Sequence, residues 1–469
     1  MRWNLSSAKT LPQASPRSFR FSKSYTGGVQ SILDRQTACG KPIDLAWLLD
    51  ARRHHDTITI DTLEVDSAQD LLLLMQYEQP TDHPEARGIT VYPVQLSRSA
   101  TTAHGVSQTH HLARKASIFA EWDGDRPAEG QPSLEVELHL CGDHFALFVL
   151  YTESPRVLIY NWKTGKEVAA VDTDARYSDA TSKMLVEDFP LCLHQFTWIT
   201  PRVFMLGSIQ QQTCEDAVDC LYIYELSGDK GEPLSRSVML ELPRWKSKLG
   251  DQAVYKELTI QTGSWNEDIY PGALSGNVFR RVTVVHDECM GNKPEHVYHI
   301  FYVLRNDLLL QTLAQHNRQQ LPWEQWGWTC ARAFAEGSIR MNASVDLEIQ
   351  VFGPQVMMTQ SKHAQQTRNV TVLDFDQAGL DPRLTGHVRM QGSATNVAMF
   401  ENDSVWSALP YRRIPIYGPI GSNGKLFLRA DGVLYTRSNS DNWWTNAVVL
   451  PAQVELPPVA YSTGAVLDQ

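Results

Sequence analysis

Residues 141–162, CGDHFALFVLYTESPRVLIYNW, contain two apolar runs that are separated by a short polar turn. Within each run, apolar side chains recur at every second position. Such a period of two is typical of β-strands, whose successive side chains point to opposite faces of a sheet. The stretch therefore predicts an antiparallel strand pair. The positions predicted to lie on buried faces are Phe145, Leu147, Val149, Leu158 and Tyr160.

Looser copies of this strand pair recur along the chain, at residues 65–96, 196–226, 296–313 and 424–437. A unit of short strands that repeats every 50 to 60 residues or so is typical of a radial all-β array. The sequence therefore predicts an all-β fold with a single β-propeller-like domain of about seven blades, within a range of roughly six to eight.

The predicted domain spans residues 21–455. Its 42% hydrophobic content and 13 tryptophans are ample for a packed core. Proline and glycine are spread over turn positions, and no stretch has the composition of a linker. Residues 1–20 and 456–469 are predicted to be poorly ordered ends.

Composition excludes several classes of partner. A net charge of −11 argues against a nucleic-acid binder, which needs a basic stripe along its surface. No apolar run approaches the length of a membrane span, so no membrane contact is expected. Seven cysteines without a regular framework fit reduced thiols, and the predicted location is therefore cytoplasmic or nuclear.

Motifs for catalysis are missing from the sequence. It contains no nucleophile elbow, no phosphate loop and no dinucleotide fingerprint. Cys214 and Cys220 flank an acidic stretch, but no second ligand pair follows at zinc-site spacing. The adjacent histidines at 54–55 and 110–111 point to opposite faces of any strand. The prediction is a protein that is not an enzyme, with no catalytic residues, no cofactor and no metal.

The densest aromatic segment is residues 321–334, LPWEQWGWTCARAF. Its residues Trp323, Trp326 and Trp328 would suit a recognition surface, because Trp is frequent in binding hot spots. They would equally suit packing between adjacent sheets, which is the favoured interpretation. Arg412 and Arg413 have the same two options, either binding a carboxylate of a partner or forming surface ion pairs. These five residues are the candidate protein-binding positions.

Six segments, in this order, resemble the C-terminal region of the expanded F-box protein family of mushroom-forming fungi. The segments are EVDSAQDLLLLMQ (64–76), CGDHFALFV with IYNWKTGKEV (141–168), FTWITPRVFML (196–206), LPWEQWG (321–327), VLDFDQ (372–377) and LPYRRI (409–414). The last four of these resemble, in turn, the family's strand with a following leucine, its Pro-Trp-x-x-Trp-Gly element, its Leu-Asp-Phe strand and its Leu-Pro-Tyr-Arg element.

The resemblance implies a propeller-like β domain that recognises substrates for a ubiquitin ligase. An F-box would connect it to the Skp adaptor and the cullin. The sequence LPQASPRSF from Leu11 does not match an F-box, and its prolines oppose the helices of that module. The F-box is therefore expected to be missing here, with adaptor and cullin as partners only if one lies upstream. The alternatives are a ubiquitin-independent interaction scaffold, whose protein target is unknown, and a propeller glycoside hydrolase.

Overall fold

A computed structural model describes most of the central part of the chain, and the fold is argued from these residues alone. They are mostly β and form several antiparallel sheets, so the predicted all-β class is confirmed. The described ranges are 2–4, 9–10, 60–66, 69–78, 87–95, 109–122, 135–150, 155–172, 193–208, 218–227, 234–244, 255–262, 281–290, 297–337, 345–362, 367–375, 388–389, 393–396, 404–417, 424–429, 432–439 and 442–453.

The chain begins with two short strands and then forms two up-and-down sheets of four strands each. The two short strands are β1 (Arg2–Asn4) and β2 (Lys9–Thr10). The first sheet contains β3 (Ile60–Asp66), β4 (Leu71–Glu78), β5 (Arg87–Gln95) and β6 (Ile118–Trp122). The second sheet contains β7 (Glu135–Cys141), β8 (His144–Leu150), β9 (Arg156–Asn161) and β10 (Lys166–Asp172).

The third and fourth sheets share a connecting segment. The third sheet contains β11 (Leu193–Thr200), β12 (Val203–Ser208), β13 (Cys220–Leu226) and β14 (Leu234–Glu241). The fourth begins with β15 (Tyr255–Thr262), β16 (Val282–Met290) and β17 (Val297–Arg305). The connecting segment follows, with α1 (Asn306–Gln315), β18 (Gln319–Leu321) and α2 (Trp323–Cys330), before β19 (Ala331–Gly337) completes the fourth sheet. Strand β18 pairs in parallel with β14, on the third sheet.

The remaining strands form one large sheet and a separate hairpin. They are β20 (Val345–Phe352), β21 (Gln355–Lys362), β22 (Thr367–Asp374), β23 (Val388–Arg389), β24 (Ser393–Asn396), β25 (Ser404–Ser407), β26 (Tyr411–Tyr417), β27 (Gly424–Arg429), β28 (Gly432–Asn439) and β29 (Asn442–Gln453). The large sheet has the order β20-β21-β22-β26-β1-β29-β28-β27, with β2 paired to β29 and β23 to β26. Strands β24 and β25 pair with each other.

Alternation along each strand divides its side chains between two cores. On β8, Phe145, Leu147 and Val149 pack against the first sheet, whereas Ala146 and Phe148 pack against the third. Leu158 and Tyr160 are buried as well, so the five positions predicted to be buried are confirmed. Because the second sheet buries apolar side chains on both faces, it must lie between two other sheets.

The sheets meet along their first strands. Strand β3 lies against β7, β7 against β11, β11 against β15, and β15 against β20. The third and fourth sheets are also joined by buried hydroxyl groups. Thr197 Oγ1 on β11 donates to Thr262 Oγ1 on β15 at 3.0 Å, and Thr283 Oγ1 donates to Asn306 Oδ1 at 2.8 Å. Thr262 Oγ1 also lies 3.0 Å from Thr283 Oγ1, so a chain of hydroxyl contacts links the start of α1 to both sheets.

The predicted strand pair at residues 296–313 is wrong in its second half. Residues 297–305 form β17, but the following sequence NDLLLQTLAQ is the helix α1. Leucine, glutamine and alanine favour helix over strand, and Leu309 and Leu313 lie one turn apart on the buried side. The predicted turn near Asn306 is therefore the start of a helix. The predicted C-terminal tail, 456–469, lies outside the described residues.

Removal of the Tyr302 hydroxyl is expected to stabilise the protein. This hydroxyl is buried and has no hydrogen-bond partner among the described residues. Burial raises the pKa of Tyr302, with Asp287 and Asp219 adding to the effect. Tyr302→Phe should therefore raise the free energy of unfolding by about 1 kcal/mol. The matched control Tyr160→Phe, which removes a hydroxyl that donates to Glu167 Oε2 at 3.2 Å, should lower it. Urea unfolding of both variants checks this, and a less stable Tyr302→Phe protein would contradict it.

Acid should destabilise the fold through His286. Its Nε2 lies 3.1 Å from His299 Nδ1, and its ring stacks on Phe301. Burial first, and then the neighbouring His299, lower the pKa of His286 to about 4. Because the unfolded chain binds this proton more readily, stability is retained above pH 6.5 or so and declines as the pH falls towards 4.

Comparison of unfolding midpoints at neutral and mildly acidic pH measures this decline. His286→Phe keeps a flat ring but cannot titrate, so the variant should lose less stability between about pH 7 and pH 5 than the parent. Equal pH dependence in the parent and the variant would exclude His286 as the titrating group.

Candidate functional site

The aromatic segment forms the short helix α2, which lies on the core shared by the third and fourth sheets. The helix begins after Pro322, whose extended backbone starts the turn, and ends where the chain enters β19. Its positions Trp323, Trp326 and Cys330 are buried in this core. They recur at intervals of three and four residues, the spacing of one helix face. Trp323 and Trp326 therefore belong to the core, whereas Trp328, the third tryptophan of the segment, is exposed.

Close packing at Trp323 explains why glycine occupies position 327. The Trp323 ring lies 5.4 Å from the ring of Tyr302 and 5.0 Å from that of Trp326, measured between centroids. A Cβ atom at Gly327 would lie 2.3 Å from the Trp323 ring. Any larger residue at position 327 would thus displace a ring that is held on two sides.

Three buried tryptophans donate hydrogen bonds from their indole N–H groups to backbone carbonyls of the protein. Trp326 Nε1 donates to the Glu241 carbonyl at 3.0 Å. Trp162 Nε1 and Trp198 Nε1 likewise donate to backbone carbonyls. A buried indole N–H without a partner is costly, so these hydrogen bonds mark tryptophans with structural roles.

Two other tryptophans are exposed, and they contact each other. Trp328 is 42% exposed at the end of α2, and Trp406 is 53% exposed on β25. Their ring centroids lie 6.0 Å apart, with 36° between the ring planes. The contact joins two segments that are far apart in the sequence. Contiguous exposed apolar groups indicate an interaction surface, whereas single exposed ones are common on any protein, and Trp is frequent in binding hot spots. Trp328 and Trp406 are therefore the Trp pair, the candidate binding surface of this protein.

Hydrogen bonds hold the strand that carries Trp406 against the fourth sheet. Arg332 Nη1 donates to the Ser407 carbonyl at 3.2 Å, and the Ala333 N–H donates to Ser407 Oγ at 3.4 Å. The Ala408 N–H donates to the Trp328 carbonyl at 2.9 Å. Residues that flank Trp406 are thus hydrogen-bonded to Trp328 and β19, and these bonds pre-organise the Trp pair.

The Arg332 guanidinium that anchors this strand is itself buried. It lies over the ring of Tyr411, 5.0 Å from the centroid. The same region contains Phe334, whose ring meets that of Tyr411 at 5.1 Å. A cation held between a carbonyl and an aromatic face is a stable anchor, because both partners attract its charge. The buried Arg332 thus helps to hold β25, the strand that carries Trp406, in place.

Around the Trp pair the exposed helix surface is polar. Glu324, Gln325 and Thr329 are exposed on α2, next to Trp328 in the helix. Glu324 precedes Trp328 by one turn, so both side chains occupy one helix face. None of the ion pairs within the described ranges involves Glu324. The surface therefore combines aromatic groups, the Glu324 carboxylate, and amide or hydroxyl groups.

The arginine candidates lie on β26, the strand that follows Trp406 in the sequence. Arg413 is exposed, and its backbone lies opposite Leu373 in the strand register. The backbone of Arg412 lies opposite Asp374 on β22 and Val388 on β23. The sequence did not single out Trp406. A usable pattern was present, because Trp406 separates Val405 and Ser407, which are both buried. An aromatic at the outward position of an alternating strand is a candidate for contact with a partner.

The positions considered for metal binding take structural or exposed places. Cys220 is buried, and burial first, then the charges of Glu241 and Asp219, raise the pKa of its thiol to about 12. His110 and His111 stack with centroids 4.6 Å apart. Residues 54–55 and Cys214 lie outside the described residues. Across the described ranges, no three His, Cys, Asp or Glu side chains converge so as to hold a metal ion.

Neither a scan against protein-family models nor a search of curated proteins returned a match to this chain. In the part of the chain that the structure describes, neither helix has the length and apolar character required to cross a membrane. The geometry of the Trp pair is therefore the main basis for a functional proposal.

Trp326 and Trp328 should differ sharply when they are truncated. Trp326→Ala removes a buried ring and its hydrogen bond, which typically costs about 3 to 5 kcal/mol. Trp328→Ala removes an exposed ring and should cost about 0.5 kcal/mol or less. Thermal melting is the measurement, with a shift of several degrees expected for Trp326→Ala alone. Equal shifts for the two variants would show that Trp328 also has a structural role.

Proposed function

We propose that this chain is a non-catalytic protein-binding module on a β-propeller-like scaffold. The scaffold is supported by successive up-and-down sheets whose first strands contact one another. The large sheet divides into two units of the same kind, β20-β21-β22-β26 and β27-β28-β29-β1, and β20 lies against β27. Counted in this way, the described ranges contain six units of four or five strands, compatible with a propeller of the predicted size.

The observation that carries the binding proposal is the exposed contact between Trp328 and Trp406. Trp is among the residue types most enriched at the few positions that dominate the binding free energy of protein interfaces. A pre-organised pair loses little conformational entropy on binding. The hydrogen bonds at Ser407 and Ala408 supply that pre-organisation.

The class of partner is a protein rather than a nucleic acid or a membrane. The resemblance to F-box proteins supports substrate recognition for a ubiquitin ligase, in which a target protein binds to this domain. An interaction scaffold that is independent of ubiquitin would use the same surface. The two are distinguished by their other partners, because only the first functions in a complex with the Skp adaptor and the cullin.

Loss of the Trp pair should remove partner binding without unfolding the protein. Tagged parent protein, the Trp328→Ala/Trp406→Ala variant and the control Phe119→Ala should be compared by affinity capture and mass spectrometry. Phe119 is 47% exposed on the edge strand β6, far along the chain from the Trp pair. We expect a set of proteins that the parent and the control retain and the double variant loses. Circular dichroism should show the same fold for all three.

Three outcomes of this capture are informative about the proposal. The adaptor and cullin in the parent sample would support the ligase role. A Trp-dependent partner, with or without them, would support protein binding through the Trp pair. Identical capture by the parent and the double variant would contradict the use of the Trp pair as a binding surface.

A further inference from the structure

The Trp pair has a chemical environment that selects among protein partners. Two indole rings, 42% and 53% exposed, lie 6.0 Å apart at an angle of 36°, so each ring leaves part of its surface accessible to a flat group. The exposed carboxylate of Glu324 lies one helical turn before Trp328. A purely apolar partner would use the rings but leave this carboxylate without a counterpart.

We propose that the Trp pair binds an arginine side chain of a peptide segment in the protein partner, an inference that rests on the proposed function. A guanidinium group is planar and can stack on an indole face while its N–H groups remain free to donate within the ring plane. Trp is the aromatic residue with the strongest cation–π attraction. Glu324 supplies an acceptor of opposite charge for the same group.

Charge complementarity supports this choice of occupant. Within the described residues Glu324 takes part in no ion pair, so its charge is available to a partner. The whole chain carries a net charge of −11, which attracts cationic segments from a distance. The polar neighbours Gln325 and Thr329 offer further acceptors for guanidinium N–H groups.

Other occupants fit these observations less well. A proline-rich segment would bind through the rings alone and would not respond to the charge of Glu324. A second copy of this chain, placed with its Trp pair on this one, would bring two Glu324 carboxylates into the same region. Like charges in an interface oppose association. Lysine would satisfy the charge, but its compact ammonium cannot stack as guanidinium does.

The inference is tested with a small probe and tryptophan-specific detection. The full chain is labelled with 5-fluorotryptophan, and the ¹⁹F resonances of the Trp pair are assigned from Trp328→Phe and Trp406→Phe. The probe is the peptide acetyl-Gly-Arg-Gly-amide. Its matched control contains citrulline, which has nearly the same shape as arginine but no charge. A lysine peptide is the third arm, and acetyl-Gly-Pro-Gly-amide is the fourth.

We expect the arginine peptide to shift the resonances of Trp328 and Trp406 in a saturable manner and to leave those of Trp323 and Trp326 unchanged. The citrulline peptide should bind at least about threefold more weakly, because it lacks the cation–π and ion-pair attraction. Glu324→Gln should weaken binding of the arginine peptide by about two- to fivefold. Glu348→Gln, an exposed carboxylate on β20, is the control and should have no effect.

Several results would overturn the inference. Equal binding of the arginine and citrulline peptides, stronger binding of the lysine or proline peptide, or an unchanged affinity in Glu324→Gln would each exclude an arginine site. Absence of any shift at both members of the Trp pair would do the same. If the affinity capture still shows a partner that depends on the Trp pair, only the arginine inference fails. If no such partner exists, the proposed function fails as well.

Discussion

Burial of both faces of each sheet is the constraint on which the rest of this structure depends. On β17, Ile300 and Tyr302 pack towards the third sheet, whereas Phe301 and Val303 pack towards the large sheet. A strand of this kind contributes to two cores at once, because its side chains alternate in direction. No sheet in the described series can therefore lose its neighbour without exposing an apolar face. The protein is stable only as a continuous series of packed sheets.

The candidate site depends on that packing through α2. Trp323 and Trp326 hold the helix on the core of the third and fourth sheets, and this leaves Trp328 at its exposed end. Arg332 and Ser407 then hold β25 beside the helix, so that Trp406 meets Trp328. Trp323, Trp326 and Arg332 thus position the Trp pair, although none of the three belongs to it. Helix periodicity thus gives the same aromatic segment a buried face and an exposed face.

Much of the fold could be predicted from alternation, because a period of two is a local property of the sequence. The buried positions of β8 and β9 are examples, since their partners are adjacent strands. The helix α1 was missed, because a leucine-rich run fits a buried strand and a helix equally well until its spacing is weighed. Alternation could have marked Trp406 as an outward-facing position, but not the contact between Trp406 and Trp328. It depends on hydrogen bonds between β19 and β25, and local sequence carries no information about which distant segments will meet.

Strand β18 links the third sheet to a part of the chain that is made later. Residues Gln319–Leu321 lie within the connecting segment of the fourth sheet, yet they pair with Val238–Leu240 of β14. During synthesis on the ribosome, the four earlier strands of the third sheet emerge well before this fifth strand. The outer edge of β14 thus stays open while β15 to β17 and α1 are translated. An open edge is where another chain can pair, so β14 is a site of aggregation for the nascent protein until β18 covers it.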